Sequence, residues 1–268
     1  MRGSSGAVLE IGARQVKKWG PAGTIGPRIL EQGKFLLEIQ GKGVVRVGEL
    51  LDSGMQLGYT MEHLTVPPIE LLDTKTVLRR IVVCLCDHVW CSFNDLVQYD
   101  PIAHRKRMDP LWDYAGKATS ALPAILEDLE SWFIHEDVRA CRTHGDSIID
   151  NVLLRGEDVV ITDPIRATPA IPDLRCVDIG RLIQSAVGYE RVRYDLRGPA
   201  FLNYDAVREI VADYGNITYE EWVCSVYWAC CHLLRSMHYV DDPVRKALVR
   251  ECYLPLLDQL QQLNKEMK

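Results

Sequence analysis

The residues with the clearest chemical use lie between His144 and Asp163. Asp146 is followed five residues later by Asn151, and two short apolar runs separated by a turn then lead to Asp163. Phosphoryl transfer from a nucleotide needs a carboxylate that orients the attacking hydroxyl, and it needs oxygen ligands that hold magnesium against the phosphates. Asp146 can fill the first role. Asn151 and Asp163, at opposite ends of one hairpin, can act as the metal ligands.

The elements that must position these residues change character along the chain. Residues 6–66 have the pattern of short strands around one helix, which begins near Pro27 and runs to about Gln40. Beyond the Pro67-Pro68 pair the apolar residues mostly recur with helical spacing. We therefore predict two domains, an N-lobe over 1–66 and a C-lobe over 67–268. The predicted C-lobe helices cover 69–92, 119–135, 175–188, 204–214, 219–239 and 242–266.

Composition excludes several classes of protein. The 268 residues include 31 basic and 37 acidic side chains, a net charge of −6, which is the wrong sign for a protein that coats nucleic acid. The longest apolar run, residues 81–86, is far shorter than the ~20 residues that span a bilayer, and no signal peptide is evident. The nine cysteines include no CxxC pair, so we expect reduced core thiols in a cytoplasmic protein and no membrane partner.

On these residues the sequence resembles the aminoglycoside phosphotransferase and choline kinase branch of the protein-kinase-like fold. That family carries a His-Gly-Asp loop with Asn five positions after the Asp, then a metal-binding Asp on the next strand; His144-Gly145-Asp146, Asn151 and Asp163 match it. Asp178 resembles the aspartate of the following helix, where we expect an N-cap and loop brace. The resemblance implies an α+β, bilobal fold with a small β-rich N-lobe that lacks a complete first strand and a larger helical C-lobe.

The resemblance also implies nucleotide contacts in the N-lobe. Lys17 occupies the place of the lysine that contacts the phosphates; it and Lys18 face opposite sides of a strand, and we favour Lys17 inside. Glu31, with Glu38 as the second candidate, is the acid expected to position that lysine. The remaining expected contacts are the glycine-rich loop of Gly3, Ser4, Ser5 and Gly6, and a hinge for the base at Glu62, His63 and Leu64. The glycine segment could instead be a flexible end or a tag remnant.

We therefore expect a kinase that uses ATP (or GTP) and Mg²⁺ to phosphorylate a hydroxyl of a small molecule. Only 14 residues separate Asp163 from Asp178, and they include three prolines and one hydroxyl, Thr168, which leaves little room for a peptide-docking platform. Two alternatives stay open. One is a nucleotide-binding pseudokinase or regulatory module without turnover, and the other is a protein kinase with a minimal activation segment.

Overall fold

The computed structural model describes residues 6–65, 74–90, 95–100, 109, 113, 122–165, 173–189, 204–236 and 242–267. The chain divides into two compact units. The first joins Met1–Leu72 to Asn151–Arg166, and the second joins Asp73–Asp150 to Ala167–Lys268. This division differs from the expected boundary at 66, because residues 151–166 belong to the first unit.

The described part of the chain contains eight strands and seven α-helices, named here in chain order. They are β1 (Val8–Ile11), β2 (Gln15–Pro21), α1 (Gly26–Glu38), β3 (Val47–Asp52), β4 (Gln56–Glu62), α2 (Thr74–Cys84, continued by a π-helical turn, Leu85–Val89), β5 (Leu96–Gln98), α3 (Leu122–Phe133), β6 (Asp137–Arg139), β7 (Val152–Arg155), β8 (Asp158–Ile161), α4 (Arg175–Ala186), α5 (Tyr204–Gly215), α6 (Tyr219–Ser236) and α7 (Pro243–Met267).

The first unit is built on an antiparallel sheet with the strand order β1-β2-β4-β3. Successive side chains of β2 alternate between the two faces, so Val16 and Lys18 are buried together while Lys17 lies on the other face. Gly58 of β4 lies where an added Cβ would be 2.1 Å from the Lys18 carbonyl oxygen, so only glycine fits this close approach of the two strands. The described sheet gives the first unit the small, β-rich character that the resemblance implies.

Helix α1 covers one face of this sheet. Pro27 lies in its first turn, where the fixed φ of proline suits a helix and its missing N–H costs no hydrogen bond. The buried side chains include Ile29, Phe35 and Leu36. Gly33 lets the helix approach β4 closely, because a Cβ at this position would lie 2.8 Å from the Tyr59 ring.

The β7–β8 hairpin joins the first unit through backbone hydrogen bonds. Val45 N–H donates to the Ile161 carbonyl at 3.1 Å, and Ile161 N–H donates to the Gly43 carbonyl at 2.9 Å. Leu154 N–H donates to the Thr65 carbonyl at 2.8 Å. These bonds explain why the hairpin groups with the sheet although about 85 residues of chain separate the two.

The second unit is helical, with α4 and α6 packed at its centre. Gly180 of α4 allows this contact, since a Cβ there would lie 2.9 Å from the Cβ of Trp228. A buried ion pair between Arg175 of α4 and Glu221 of α6 also joins the two helices, with Arg175 Nε 3.0 Å from Glu221 Oε1. Within the part of the chain that the structure describes, no helix is both long enough and apolar enough to cross a membrane.

Candidate functional site

The hairpin places Asn151 and Asp163 at the same end of the first unit. Val152 pairs with Ile161, and Thr162 N–H donates to the Asn151 carbonyl at 2.9 Å. Asn151 therefore lies opposite Thr162, the residue directly before Asp163. The sequence predicted that the two residues lie at opposite ends of the hairpin. Antiparallel pairing brings the first and last residues of a hairpin together, and the structure therefore groups the two expected metal ligands at its open end.

Asp163 has an unusual backbone conformation. Its φ is +57°, in the left-handed region that non-glycine residues rarely occupy, and Pro164 follows it directly. Such a conformation costs on the order of 1–3 kcal/mol and persists where the surroundings hold it, often at functional sites. The side chain is 40% exposed, so the carboxylate is open to a ligand.

Lys18 is the lysine that reaches this carboxylate. Its Nζ donates to Asp163 Oδ1 at 2.5 Å, and its side chain is only 5% exposed. Lys17 points to the opposite face, where its Nζ lies 3.8 Å from Glu10 Oε2 and over the Trp19 ring. The expectation that Lys17 faces inward is wrong. Val16 provided the signal that was missed, because a buried valine two residues earlier marks the inner face of β2.

The acid expected on α1 to hold the lysine does not lie on the buried side of that helix. Glu31 is exposed and pairs with Lys34 at 2.6 Å, and Glu38 is exposed as well. Gln32 occupies the buried face instead, and its Nε2 donates to the Pro164 carbonyl at 2.7 Å. The spacing of Ile29 and Leu36 could have shown this, since residues three and four positions after a buried helical residue share its face.

Tyr59 completes the surroundings of Lys18. It is the cross-strand neighbour of Lys18 in β4, and its side chain is fully buried. Burial raises the pKa of the Tyr59 hydroxyl well above its usual range, and the nearby negative charge of Asp163 raises that pKa further. The group therefore remains a neutral hydroxyl at physiological pH. No sequence motif distinguishes this tyrosine from an ordinary core residue.

The expected nucleotide-loop residues are only partly described. Gly3, Ser4 and Ser5 lie outside the described residues. Gly6 is exposed with a φ of +81°, a conformation that favours glycine.

The expected hinge continues from β4. The backbone N–H of Glu62 donates to the Arg46 carbonyl at 3.0 Å, and that of His63 donates to the Arg14 carbonyl at 3.1 Å, so neither is available to a base. Within the described residues the backbone of Leu64 makes no hydrogen bond. Leu64 is therefore the hinge residue with the better opportunity to bind a ligand through its backbone.

The Glu62 side chain has a structural partner. Its carboxylate accepts hydrogen bonds from Arg155 of β7 and from the Arg46 backbone N–H at 2.8 Å. Partial burial raises the pKa of Glu62, but the hydrogen bonds and charge of Arg155 outweigh this effect and lower the pKa below its usual range. Arg155 also donates to the carbonyls of Lys42 and Val44, so it joins the hairpin to the rest of the first unit.

Asp146, the expected catalytic residue, belongs to the second unit. Its Oδ1 lies 3.5 Å from Arg181 Nε, and both side chains are mostly buried. Arg181 Nη1 also donates to Gln184 Oε1 at 2.8 Å, which holds the guanidinium against α4. The sequence analysis did not single out Arg181. Its position three residues after Asp178 was the available signal, because it lies on the same face of α4.

Asp178 braces the loop that carries Asp146. Its carboxylate accepts hydrogen bonds from the backbone N–H groups of His144 at 2.8 Å and Gly145 at 2.7 Å, and from Trp90 Nε1 at 3.0 Å. Burial raises the pKa of Asp178, and the His144 ring and these donors limit the rise. The expected loop brace is present in this geometry, but Asp178 is not an N-cap. Helix α4 begins at Arg175, after an N-cap at Leu174.

The donor set of the first unit fits a small divalent cation. Asn151 and Asp163 bring amide and carboxylate oxygens, the ligand types that Mg²⁺ prefers, and Mg²⁺ commonly takes only one or two protein ligands and completes its shell with phosphates and water. Among the described residues, no three His, Cys, Asp or Glu side chains form a metal-binding group. A transition-metal centre built on such a group is therefore not found in that part of the chain.

The chain resembles known proteins in its structure. No family model and no curated protein matches the sequence. The solved structures that resemble it include a Thermobifida fusca protein provisionally described as a fructosamine-3-kinase, with 14% identity, a TM-score of 0.54 and coverage of 95% of this chain and 96% of that chain. The chain has the protein-kinase-like fold.

Two further structures agree with this assignment of the fold. An aminoglycoside phosphotransferase, solved as a complex with AMP-PNP and hygromycin B, is 10% identical with a TM-score of 0.56 and coverage of 98% of this chain and 92% of that chain. A protein of Ralstonia eutropha, provisionally described as an aminoglycoside phosphotransferase, is 12% identical with a TM-score of 0.54 and coverage of 98% and 94%. At these identities the likeness establishes the α+β fold, and the chemistry must be argued from this chain's own residues.

Proposed function

We propose that this chain is a phosphotransferase that uses ATP and Mg²⁺ to phosphorylate a hydroxyl of a small molecule. The contact between Lys18 and Asp163, beside Asn151 at the open end of the hairpin, carries this proposal. A buried lysine held against a partly exposed, strained aspartate brings together a phosphate-binding cation and a metal ligand. The protein-kinase-like fold is a scaffold on which that chemistry is known.

The residues of the first unit have distinct roles in this proposal. The Lys18 ammonium binds phosphate oxygens of the nucleotide, and Asn151 and Asp163 hold the cation. The cation would neutralise the charge that develops on the transferred phosphoryl group. The backbone of Leu64 is our candidate for binding the base, since the N–H groups of Glu62 and His63 are already engaged.

Asp146 of the second unit orients the acceptor. Its carboxylate accepts the proton of the acceptor hydroxyl, while Arg181 beside Oδ1 fixes the side chain. Asp178 accepts hydrogen bonds from the backbone N–H groups of His144 and Gly145, the two residues before Asp146. These bonds hold the loop in place before the substrate binds.

A small-molecule acceptor is supported by the similar structures and by the short segment after Asp163. Residues 166–172, which would form a minimal activation segment, lie outside the described residues, so the protein-kinase alternative depends on experiment. Similar structures were solved with hygromycin B together with AMP-PNP or ADP, with gentamicin, and with ADP. Aminoglycosides, fructosamine-type sugars and amino alcohols such as choline are therefore the acceptors that we would assay first.

A matched pair of variants tests the proposal. We expect Lys18→Met to lower transfer from ATP by about 10²-fold or more, because it removes the cation that contacts the phosphates. Lys17→Met, on the opposite face of the same strand, should stay within about twofold of wild type. The measurements are ADP affinity by calorimetry and transfer of labelled γ-phosphate to the acceptor panel and to casein.

The outcomes separate the alternatives. Equal loss in the two lysine variants would contradict the assignment of Lys18. Nucleotide binding by wild type without transfer to any acceptor would favour the pseudokinase or regulatory module. Label in casein but not in small molecules would favour the protein kinase.

We further infer that the protein works in the cytoplasm. Eight cysteines of the described residues are free thiols, and most of them are buried. Thiol groups persist in a reducing compartment, whereas secreted proteins tend to form disulfides.

A further inference from the structure

Helix α1 presents an amide, and no carboxylate, on its buried face. Gln32 is only 7% exposed there, between the apolar side chains of Ile29 and Phe35. Polar side chains are rarely buried without a hydrogen-bond partner, so the partners of Gln32 indicate why it is present.

The one hydrogen bond that the described structure gives this side chain is the bond from Nε2 to the Pro164 carbonyl at 2.7 Å. Its Oε1 is buried and has no partner among the described residues. An apolar side chain of similar shape would fill the same space without an unpaired oxygen. An amide differs from such a side chain at this position by its hydrogen bond to the Pro164 carbonyl.

Pro164 is the residue directly after Asp163, and it is buried. The hydrogen bond that its carbonyl accepts from Gln32 therefore helps to hold the turn in which Asp163 takes its left-handed conformation. Proline has no backbone N–H, so the carbonyl is the backbone group through which Pro164 itself can be held by a hydrogen bond.

Within the described residues, helix α1 gives Lys18 no charged partner. Lys18 contacts Asp163, and no carboxylate of α1 reaches it within the described structure. Helix α1 thus acts on the aspartate of the pair through the backbone that follows it.

We propose that Gln32 is a positioning residue for cation binding, which holds Asp163 in place through the Pro164 carbonyl. This inference rests on the proposed function, in which Asp163 is a metal ligand. Groups that orient a metal ligand commonly change metal affinity 10- to 100-fold when they are replaced.

The test is the effect of Mg²⁺ on ADP affinity in the full chain. In wild type, Mg²⁺ should strengthen ADP binding. In Gln32→Met we expect this strengthening to fall about tenfold, while ADP affinity without added cation stays unchanged. Binding of Mn²⁺ alone, followed by its electron paramagnetic resonance signal, should weaken to a similar extent.

Two control variants define the outcome. Gln32→Leu also removes the donor without placing a charge on the buried face, so it should behave like Gln32→Met, and it replaces that variant if Gln32→Met does not fold. Lys34→Met, on the exposed face of α1, should match wild type. The melting temperature of each variant confirms that it is folded.

Unchanged cation dependence in both Gln32 variants would overturn this inference alone. Equal loss of ADP affinity with and without Mg²⁺ would also overturn it, because it would indicate general damage to the unit. A wild-type protein whose ADP binding does not respond to Mg²⁺ would overturn the proposed function and this inference with it.

Discussion

At the scale of single residues, function depends on which neighbouring hydrogen-bond donors and acceptors a side chain can pair with. Asp178 accepts hydrogen bonds at both carboxylate oxygens, from Gly145 at Oδ1 and from His144 and Trp90 at Oδ2. An asparagine has one acceptor oxygen and one donor nitrogen in the same shape, so it can satisfy only one side of this arrangement.

We therefore expect Asp178→Asn to lower the free energy of unfolding by about 1–3 kcal/mol, since a buried donor loses its acceptor. Transfer to the acceptor should fall because the loop carrying Asp146 loses its brace, while ADP binding should not change. Urea unfolding and phosphate transfer measure the two effects. Asp173→Asn is the control, because that exposed aspartate accepts one bond, from Thr143. Equal losses of stability and of transfer in the two variants would contradict the bracing role of Asp178.

The contacts and orientations of single side chains were the features that the sequence predicted least well. The catalytic-loop pattern predicted the hairpin, but it did not predict that antiparallel pairing brings Asn151 and Asp163 together at the open end. Strand alternation established that Lys17 and Lys18 face opposite sides, but the side that faces inward depends on packing with α1 and β4. In the same way, the roles of Gln32 and Tyr59 arise from contacts distant in sequence, which local patterns do not contain.

At the scale of elements, the sequence predicted most of the architecture. Helix α1 and the C-terminal helices lie within a few residues of their predicted bounds, because apolar spacing and Pro27 define them locally. The attachment of the β7–β8 hairpin to the first unit was not predicted. It depends on the backbone hydrogen bonds described above and on Arg155, whose four hydrogen bonds reach Glu62, Lys42 and Val44.

This attachment should depend on pH. The folded-state pKa of Glu62 is lowered, so the unfolded state binds more protons, and stability present above the ordinary pKa of about 4.3 is lost as pH falls through the folded-state value. We expect Arg155→Met to lower the free energy of unfolding by about 1–3 kcal/mol at pH 7 and to reduce its fall between pH 7 and pH 3.5.

Urea unfolding at the two pH values provides the comparison. Lys34→Met removes the exposed Lys34–Glu31 pair and should change stability by less than about 1 kcal/mol. The same pH dependence in wild type and Arg155→Met would show that the Glu62–Arg155 pair does not couple folding to protonation.

At the scale of the whole molecule, the proposed chemistry is divided between two compact units. The first contains Lys18, Asn151 and Asp163, and the second contains Asp146 with its brace at Asp178. In the proposed function, binding of the nucleotide with its cation and activation of the acceptor therefore depend on different structural units.

This division predicts separable defects. Asp163→Asn should weaken Mg²⁺-dependent ADP binding, because the cation loses a charged ligand. Asp146→Asn should retain that binding and lower transfer by about 10²-fold or more, because the acceptor hydroxyl loses its proton acceptor. The change in melting temperature with Mg²⁺ and ADP measures binding, since a ligand at 100 times its dissociation constant adds ~2.7 kcal/mol of stability. Equal transfer by wild type and Asp146→Asn would contradict the role of Asp146.

The pairing of Lys18 with Asp163 has a consequence for the resting protein. Many metal-dependent sites contain several carboxylates that repel one another when the ion leaves, so a chelator destabilises them. Here the ammonium of Lys18 serves as a resident counter-ion for Asp163. We therefore expect the protein to need no divalent ion to keep this aspartate neutralised, so that treatment with a chelator should leave its melting temperature unchanged.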